Sequence, residues 1–193
     1  QWSSASLLTI PYLFIKTMGN AELQNVSKIA ILNSNYLKDS LKEYYTVIDV
    51  NENGRVGHEF IIDTSEFKKY NITELDISKR LIDYSFHPPT MSWPRQNVLM
   101  FEPTESESLE ELDRLVEALI SIRKEIEEIE NGEYTLEDNV IVNSPHSFKM
   151  INDWKYSYTP KKAFYPVDNL LQNKYEVPIT RVNDKYGDKK LLN

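Results

Sequence analysis

The chain has 193 residues, a net charge of −8 and a hydrophobic fraction of 40%, with 12 Tyr, 7 Phe and 3 Trp. This length and aromatic content predict one folded domain, with or without an appendage. The 22 Lys and Arg are spread among 30 acids, which excludes the basic stripe that a nucleic-acid surface needs. The absence of cysteine excludes disulfides and thiolate metal sites.

Three further absences narrow the class of protein. The histidines, at positions 58, 87 and 146, are too far apart for metal-ligand spacing, so we expect no metal site. No glycine-rich nucleotide loop is present among the 5 glycines. The most apolar run, residues 7–15, is shorter than the roughly 20 residues of a membrane span and lacks signal-peptide flanks. Because the chain opens at Gln1 with a core-type helix, we interpret it as a fragment of a longer protein.

The first 44 residues predict two helices. Ser4 or Ser6 is a suitable N-cap for a helix that runs to Met18 and stops at Gly19. Its apolar residues lie all round the axis, which predicts a helix covered on most sides. A second helix is predicted over residues 21–44 because apolar side chains recur at helical spacing on one stripe. The stripe consists of Leu23, Val26, Ala30, Leu37, Leu41 and Tyr44.

The periodicity then changes to that of strands. Residues 47–50 and 56–63 alternate as strands do, and Asn51-Glu52-Asn53-Gly54 between them is typical of a hairpin. In the second strand, Val56, His58, Phe60 and Ile62 are predicted to share one face.

The remaining elements complete an α+β pattern. Thr73 is predicted to cap a helix to Tyr84, and residues 98–101 to form a strand. The proline-bracketed residues 87–94 cannot form regular helix. Ser108 and Glu111 predict a capping box that opens a long helix ending at Asn131-Gly132. Its stripe is Leu112, Leu115, Leu119, Ile122, Ile126 and Ile129. We therefore expect a small antiparallel sheet with helices on one face, formed by residues 1–132.

Residues 133–193 have a different character. They hold six of the twelve tyrosines and four prolines, with little periodicity. We interpret this segment as an extended, aromatic-rich tail that wraps over another surface, in parts of the protein outside this chain.

Candidate site residues each have a structural alternative. The acidic residues 102–113 fit the N-terminus of a helix better than a metal or catalytic pair. His58 is either a core histidine or a functional one, whereas His87 and His146 are interpreted as structural. Thr90, Ser92 and Trp93 lie on a loop stiffened by prolines, which suits either contact with an anion or substrate or a turn that hydrogen-bonds to its own backbone. Ser4 and Ser6 are either plain helix caps or phosphate ligands.

Six blocks of sequence resemble one enzyme family. The longest contains His87-Pro88-Pro89-Thr90-Met91-Ser92-Trp93-Pro94, followed by Glu102-Pro103-Thr104-Glu105-Ser106-Glu107. The others, in chain order, are Trp2-Ser3-Ser4-Ala5-Ser6, Gly57-His58-Glu59, Lys79-Arg80-Leu81-Ile82-Asp83-Tyr84, Ala118-Leu119-Ile120-Ser121-Ile122-Arg123, and the pair Ser144-Pro145-His146 and Asp184-Lys185-Tyr186-Gly187-Asp188. This series resembles the C-terminal part of the glycine-cleavage P-protein, a pyridoxal 5'-phosphate (PLP) glycine decarboxylase. Ser85 departs from the family, which has glycine there.

The resemblance implies a function that this chain cannot perform alone. It implies the C-terminal small domain of a dimeric fold-type-I PLP enzyme, which releases CO2 from glycine and passes the aminomethyl group to the lipoyl arm of H-protein. PLP is then held by a lysine outside this chain, in the N-terminal part of the enzyme, because no His-Lys pair is present.

The same resemblance carries site expectations. Ser4 and Ser6 become candidate PLP-binding residues, and His58, Thr90, Ser92 and Trp93 candidate substrate-pocket residues, with no catalytic residue in this chain. The enzyme is expected in the cytoplasm of a bacterium or the mitochondrial matrix of a eukaryote. The alternative is a non-catalytic α+β interaction module or an enzyme remnant.

Overall fold

The computed structural model describes residues 4–191, without the side chains of Asp184, Lys185, Asp188 and Leu191. Trp2 and Ser3 of the first sequence block lie outside the described residues. The helices are α1 Thr9–Leu41, α2 Glu74–Asp83, α3 Leu109–Glu130, α4 Pro160–Phe164, α5 Leu170–Asn173 and α6 Asp184–Leu191. The strands are β1 Thr46–Ile48, β2 Phe60–Asp63, β3 Thr90–Met91 and β4 Val98–Phe101, and four-to-six-residue 3-10 helices cover Ala5–Leu8, Ser65–Tyr70 and Phe148–Asp153.

The two predicted N-terminal helices are the two halves of α1. They meet at Gly19, whose φ of 69° and ψ of 176° break the helical path. Only glycine adopts this backbone region readily, which explains the stop predicted there. The helix ends at Leu41, three residues earlier than predicted, and the exposed Tyr44 is not part of the buried stripe. Tyr45 is buried instead and donates a hydrogen bond to the Leu119 carbonyl on α3, at 2.7 Å.

The first half of α1 is not covered. Seven large apolar side chains between residues 7 and 15 are exposed, with Leu8 exposed to 70%. The expectation of a helix covered on most sides is therefore wrong for this chain, because nothing in the described residues packs on this half.

The sheet confirms the α+β class. Its order is β1-β2-β4-β3, and every neighbouring pair is antiparallel. Phe60 lies opposite Phe101 and Ile62 opposite Leu99, and these four side chains join the core that also contains the inner faces of α1, α2 and α3.

The second strand is shorter than predicted, and the reason is one side chain. The Asn35 carboxamide on α1 accepts from the Val56 N–H at 3.1 Å and donates to the Val56 carbonyl at 2.9 Å. This amide takes both backbone groups that a neighbouring strand would have paired. Residues 56–59 consequently stay outside the sheet, and His58 is exposed, not on the inner face with Phe60.

The caps of α2 and α3 are nearly as predicted. At α2, the Asp76 carboxylate accepts from both the backbone N–H and the hydroxyl of Thr73, at 2.7 and 2.6 Å. At α3, the Ser108 hydroxyl accepts from the Glu111 N–H at 3.2 Å. The Glu111 carboxylate binds Arg114 instead of accepting from the backbone N–H of Ser108. The predicted capping box at α3 is thus half formed. The α3 stripe packs against the core as predicted.

The tail packs on the same chain. Val140, Ile141, Tyr158, Phe164 and Leu170 belong to the same buried cluster as the α2 and α3 stripes. The expectation that the segment lies over a different surface does not hold for these residues. Their apolar side chains enter the core one at a time from irregular backbone, so they leave no periodic pattern in the sequence. The boundary at residue 132 stays a prediction.

Residues 4–191 contain neither a candidate membrane span nor a candidate metal site. No helix there combines the length and the apolar character that crossing a membrane requires. In the same part of the chain, no three His, Asp or Glu side chains come together as a metal site.

Candidate functional site: the motif groove

The two ends of the longest family-like block meet at one groove. It has a volume of about 580 Å³ and lies between the segment before β3, the end of β4 and the first turns of α3. Residues 85–90 form one wall and residues 100–103 form another. We name this cavity the motif groove, because His87-Pro88-Pro89-Thr90 and Glu102-Pro103 both line it.

The groove combines an apolar lining with an acidic rim. Its apolar residues include Leu81, Phe86, Phe101, Leu112 and Leu115. Its ionisable lining comprises Glu102, Glu107, Glu111, Arg114 and His87. Three carboxylates against one guanidinium disfavour a free anion and suit an uncharged or apolar ligand.

Arg114 is held firmly in the groove wall. Its guanidinium binds Glu111 through two bonds, of 2.5 and 2.8 Å, and lies 3.9 Å from the centre of the Phe86 ring. Hydrogen bonding to Arg114 lowers the pKa of the Glu111 carboxyl, so this pair stays charged. The cation is therefore neutralised by its own helix neighbour.

Thr90 is the one predicted pocket residue that lines the motif groove. It lies on β3 opposite Met100 and is exposed. A hydroxyl at this position can donate to a ligand in the groove without adding charge.

Ser92 and Trp93 lie at the tip of the β3–β4 hairpin and are not among the groove residues. Ser92 has a φ of 55°, and its hydroxyl donates to the Glu74 carboxylate at 2.7 Å. The same Glu74 oxygen accepts from the N–H of Asn97, at 3.3 Å. Glu74 on α2 thus fixes the hairpin tip, while Trp93 is 62% exposed.

His58 lies beside the rim of the groove. Its Nε2 is 3.7 Å from Glu102 and 3.9 Å from Glu59, and its side chain is 60% exposed. These distances are too long for hydrogen bonds. The carboxylates attract the imidazole only when it is protonated, and then weakly.

Ser4 and Ser6 lie apart from the groove-lining residues. They are exposed on the short 3-10 helix, and their hydroxyls bond to each other at 2.7 Å. Ser4 does not cap the helix through its side chain.

The structure also shows a buried ion cluster that sequence reasoning missed. We define it as Arg80, Asp83, Glu125, His146 and Tyr158, all of them buried. Arg80 and Asp83 lie on α2, Glu125 on α3, and the other two on the tail.

Every donor position of Arg80 is used. Its guanidinium binds Glu125 through two bonds, of 2.6 and 2.9 Å, and Asp83 at 2.9 Å. It also donates to the carbonyls of Ala163 at 2.9 Å and Lys162 at 2.8 Å. This one side chain therefore joins α2, α3 and α4.

Asp83 and His146 connect the cluster to the tail. The Asp83 carboxylate accepts from the His146 backbone N–H at 2.7 Å and lies 2.6 Å from its Nδ1. The other ring nitrogen, Nε2, lies 2.8 Å from the Tyr158 hydroxyl. Burial lowers the pKa of His146, against an opposing effect of Asp83, and burial is the larger effect. The imidazole is thus neutral, with the proton on Nδ1 and an acceptor at Nε2.

An Asp–His–hydroxyl series is also the pattern of a catalytic relay, but this one is structural. Asp83, His146 and Tyr158 are at most 3% exposed, and none of them lines the motif groove. The sequence carries a sign of the cluster, because Arg80, Asp83 and His146 fall in two of the family-like blocks among apolar neighbours.

The fold is a small α+β domain, and its groove is lined by both ends of the longest family-like block. The family model described as "Glycine dehydrogenase, C-terminal domain" matches residues 26–146, and the chain belongs to that family. Among similar proteins are the "Glycine dehydrogenase (decarboxylating)" of Yersinia pestis (strain Pestoides F) and that of Yersinia pseudotuberculosis serotype O:1b (strain IP 31758). Each is 46% identical over 193 residues, which is 99% of this chain and 20% of the relative. The chain thus spans about a fifth of the length of these relatives.

Proposed function

We propose that this chain is the C-terminal part of a PLP-dependent glycine decarboxylase, which releases CO2 from glycine and passes the aminomethyl group to the lipoyl arm of H-protein. The supporting observation is that the two ends of the longest family-like block line one groove, in a chain that belongs to the glycine dehydrogenase C-terminal family. The names of the relatives support the decarboxylating activity.

The described residues do not by themselves fit PLP. Ser4 and Ser6 carry hydroxyls suited to a phosphate, but both are exposed, Ser4 just before the four-residue helix Ala5–Leu8 and Ser6 within it. The sequence contains no His-Lys pair of the kind that the family resemblance requires. The cofactor and its lysine therefore belong to the rest of the enzyme in this proposal, and this chain alone is inactive.

The proposed contribution of this chain is the wall of a substrate entrance. Thr90 offers a neutral hydroxyl on the groove wall, which can donate to a polar group of the substrate without adding charge. Ser92 and Trp93 lie further out on the tip that Glu74 holds, and His58 lies at the rim. The apolar lining suits an uncharged arm that reaches in from a partner protein.

A chimera tests the proposal. The C-terminal fifth of the Yersinia pestis relative is replaced by this chain, and glycine-dependent CO2 exchange is measured with H-protein present. We expect the chimera to retain exchange, and Thr90→Val within it to lower turnover about tenfold or more, by loss of one transition-state hydrogen bond. PLP content and thermal midpoint should stay near those of the parent chimera.

Two results would contradict the proposal. A chimera that folds and holds PLP but lacks CO2 exchange favours the non-catalytic interaction module or remnant. Unchanged turnover in the Thr90→Val chimera leaves the family function intact but makes the groove architectural. Thr46→Val, a loss of the same hydroxyl from the exposed start of edge strand β1 in the same sheet, is the matched control.

A further inference from the structure

The strand that carries Thr90 is short and lies at the edge of the sheet. β3 consists of Thr90 and Met91, both exposed, and it pairs with β4 on one side. Two pairs of residues provide few main-chain hydrogen bonds, so an edge strand of this length needs a contact outside the sheet to stay in place. That contact is made by residues 92–97, which join β3 to β4 and form the hairpin tip.

One carboxylate of α2 spans the hairpin tip. Glu74 is the first residue of α2, and its Oε1 accepts from the Ser92 hydroxyl at 2.7 Å and from the Asn97 N–H at 3.3 Å. Ser92 and Asn97 are the two ends of the tip, and their φ values of 55° and 64° lie in the left-handed region. Residues other than glycine adopt this region at a cost, so the shared acceptor stabilises a backbone that would otherwise relax.

The two ends of the tip differ in what else holds them. The Asn97 carbonyl accepts from the N–H and the hydroxyl of the buried Thr64, at 2.9 and 2.8 Å, which fixes the β4 end independently of Glu74. At the β3 end, the Ser92 N–H donates to the Val98 carbonyl at 3.0 Å, and the Ser92 hydroxyl has Glu74 as its partner. Loss of the carboxylate should therefore free the β3 end first, and with it the strand that carries the groove hydroxyl.

We propose that Glu74 is a positioning residue of the substrate entrance, which holds the Thr90 hydroxyl in place on the wall of the motif groove through Ser92. The inference rests on the proposed function, in which Thr90 donates to the substrate. Glu74 belongs to none of the family-like blocks and is not among the groove residues, so it acts through Ser92 and β3 and not by contact with a ligand. A donor has to be held in place to stabilise a transition state, because a displaced donor lowers the rate even where the binding groups are intact.

Amide hydrogen exchange of the whole chain tests the positioning itself. The reporters are the Ser92 N–H for the β3 end and the Thr64 N–H for the β4 end. In Glu74→Ala, the Ser92 amide should exchange about tenfold faster, as expected for the loss of one hydrogen bond to a charged group, while the Thr64 amide should change less than about twofold. Glu110→Ala, which removes an exposed first-turn glutamate from α3, is the matched control and should change neither.

The chimera with the Yersinia pestis relative tests the consequence for turnover. Glu74→Ala should lower glycine-dependent CO2 exchange by about tenfold, mainly through kcat, because the donor is displaced while the groove remains. Glu74→Gln should recover most of this loss, since its carboxamide oxygen can accept from the same two donors. Because Glu74 acts through Thr90, the double variant Glu74→Ala with Thr90→Val should be no slower than Thr90→Val alone.

Four results overturn the inference. The first is unchanged exchange of the Ser92 amide in Glu74→Ala, and the second is an equal rise at Ser92 and Thr64, which would assign Glu74 to global stability. The third is a Glu74→Gln variant as slow as Glu74→Ala. The fourth is a loss in the double variant equal to the product of the two single losses. A parent chimera that folds and holds PLP but lacks CO2 exchange overturns the proposed function itself, and the entrance role of Glu74 with it.

Discussion

At the scale of single residues, the buried ion cluster is the main polar connection between α2, α3 and the tail. Arg80 has no exposed surface, and its two carboxylate partners are also buried. A charged group in the interior is stable only when every donor and acceptor is paired. The tail supplies the last two acceptors, the carbonyls of Lys162 and Ala163.

Replacing Arg80 by Met should lower the free energy of unfolding by about 3–5 kcal/mol, because two buried carboxylates lose their cation. Urea unfolding measures the change. Arg95→Ala, which removes only the exposed pair with Asp49, should change it by less than about 1 kcal/mol.

A second variant keeps this prediction testable if Arg80→Met does not fold. Adding Glu125→Leu removes one unpaired carboxylate and should restore part of the lost stability. A loss below about 1 kcal/mol for Arg80→Met, or no recovery in the double variant, contradicts the assignment.

His146 predicts how stability depends on pH. Its folded pKa lies below its ordinary value, so below about pH 6.5 the unfolded chain binds a proton that the folded chain resists. The stabilisation is fully present above that pH and is lost as the pH falls towards the folded pKa, by up to about 1.4 kcal/mol per pH unit. Arg80, Asp83, Glu125, Tyr156 and Tyr158 are the charged and titratable groups around the ring.

Urea unfolding between pH 7.5 and 5.5 measures this dependence. His146→Gln should be less stable than the wild type at pH 7.5 but should lose less stability on acidification. Carboxylates titrate in both proteins, so the difference between the two slopes is the relevant quantity. Equal slopes would show that folding leaves the pKa of His146 unchanged, and a steeper slope in the variant would show that folding favours the charged imidazole.

Ser85 adopts a backbone conformation that is rare for serine. Its φ of 64° lies in the left-handed region, which glycine adopts most readily. The serine hydroxyl accepts from the Tyr175 N–H at 2.7 Å and so holds the tail against the end of α2. A strained turn therefore carries one of the contacts that fix the tail.

At the scale of elements, the sequence predicted position and type well and boundaries less well. The α3 stripe was readable because six apolar residues recur at helical spacing over 22 residues. The start of β2 was not, because it depends on the Asn35 carboxamide from a helix 21 positions away. The alternation of residues 56–59 indicates a strand, but the Asn35 carboxamide binds the N–H and the carbonyl of Val56 that a neighbouring strand would have paired. The sequence around residue 56 does not show that Asn35 lies beside it in the fold.

At the scale of the molecule, the family-like blocks lie in different parts of the fold. The two ends of the longest block, around Thr90 and Glu102, meet at the motif groove, whereas the blocks around Arg80, Ser121 and His146 surround the ion cluster. The sequence identifies the blocks but not their places in the fold, because contacts such as that between Asp83 and His146 join residues 63 positions apart. Sequence reasoning also missed the anchoring of the tail, since single aromatic contacts lack a period.

The uncovered half of α1 bears on the behaviour of the isolated chain in concentrated solution. Apolar side chains on all sides of a projecting helix favour reversible association, which becomes stronger with concentration and with warming from the cold. Light scattering should give a negative second virial coefficient, and Leu8→Ser with Ile10→Ser and Leu13→Ser should move it towards positive values. The thermal midpoint should stay nearly unchanged, because these three side chains are 60–70% exposed. A midpoint lowered by several degrees would show instead that this half of the helix is buried within the chain.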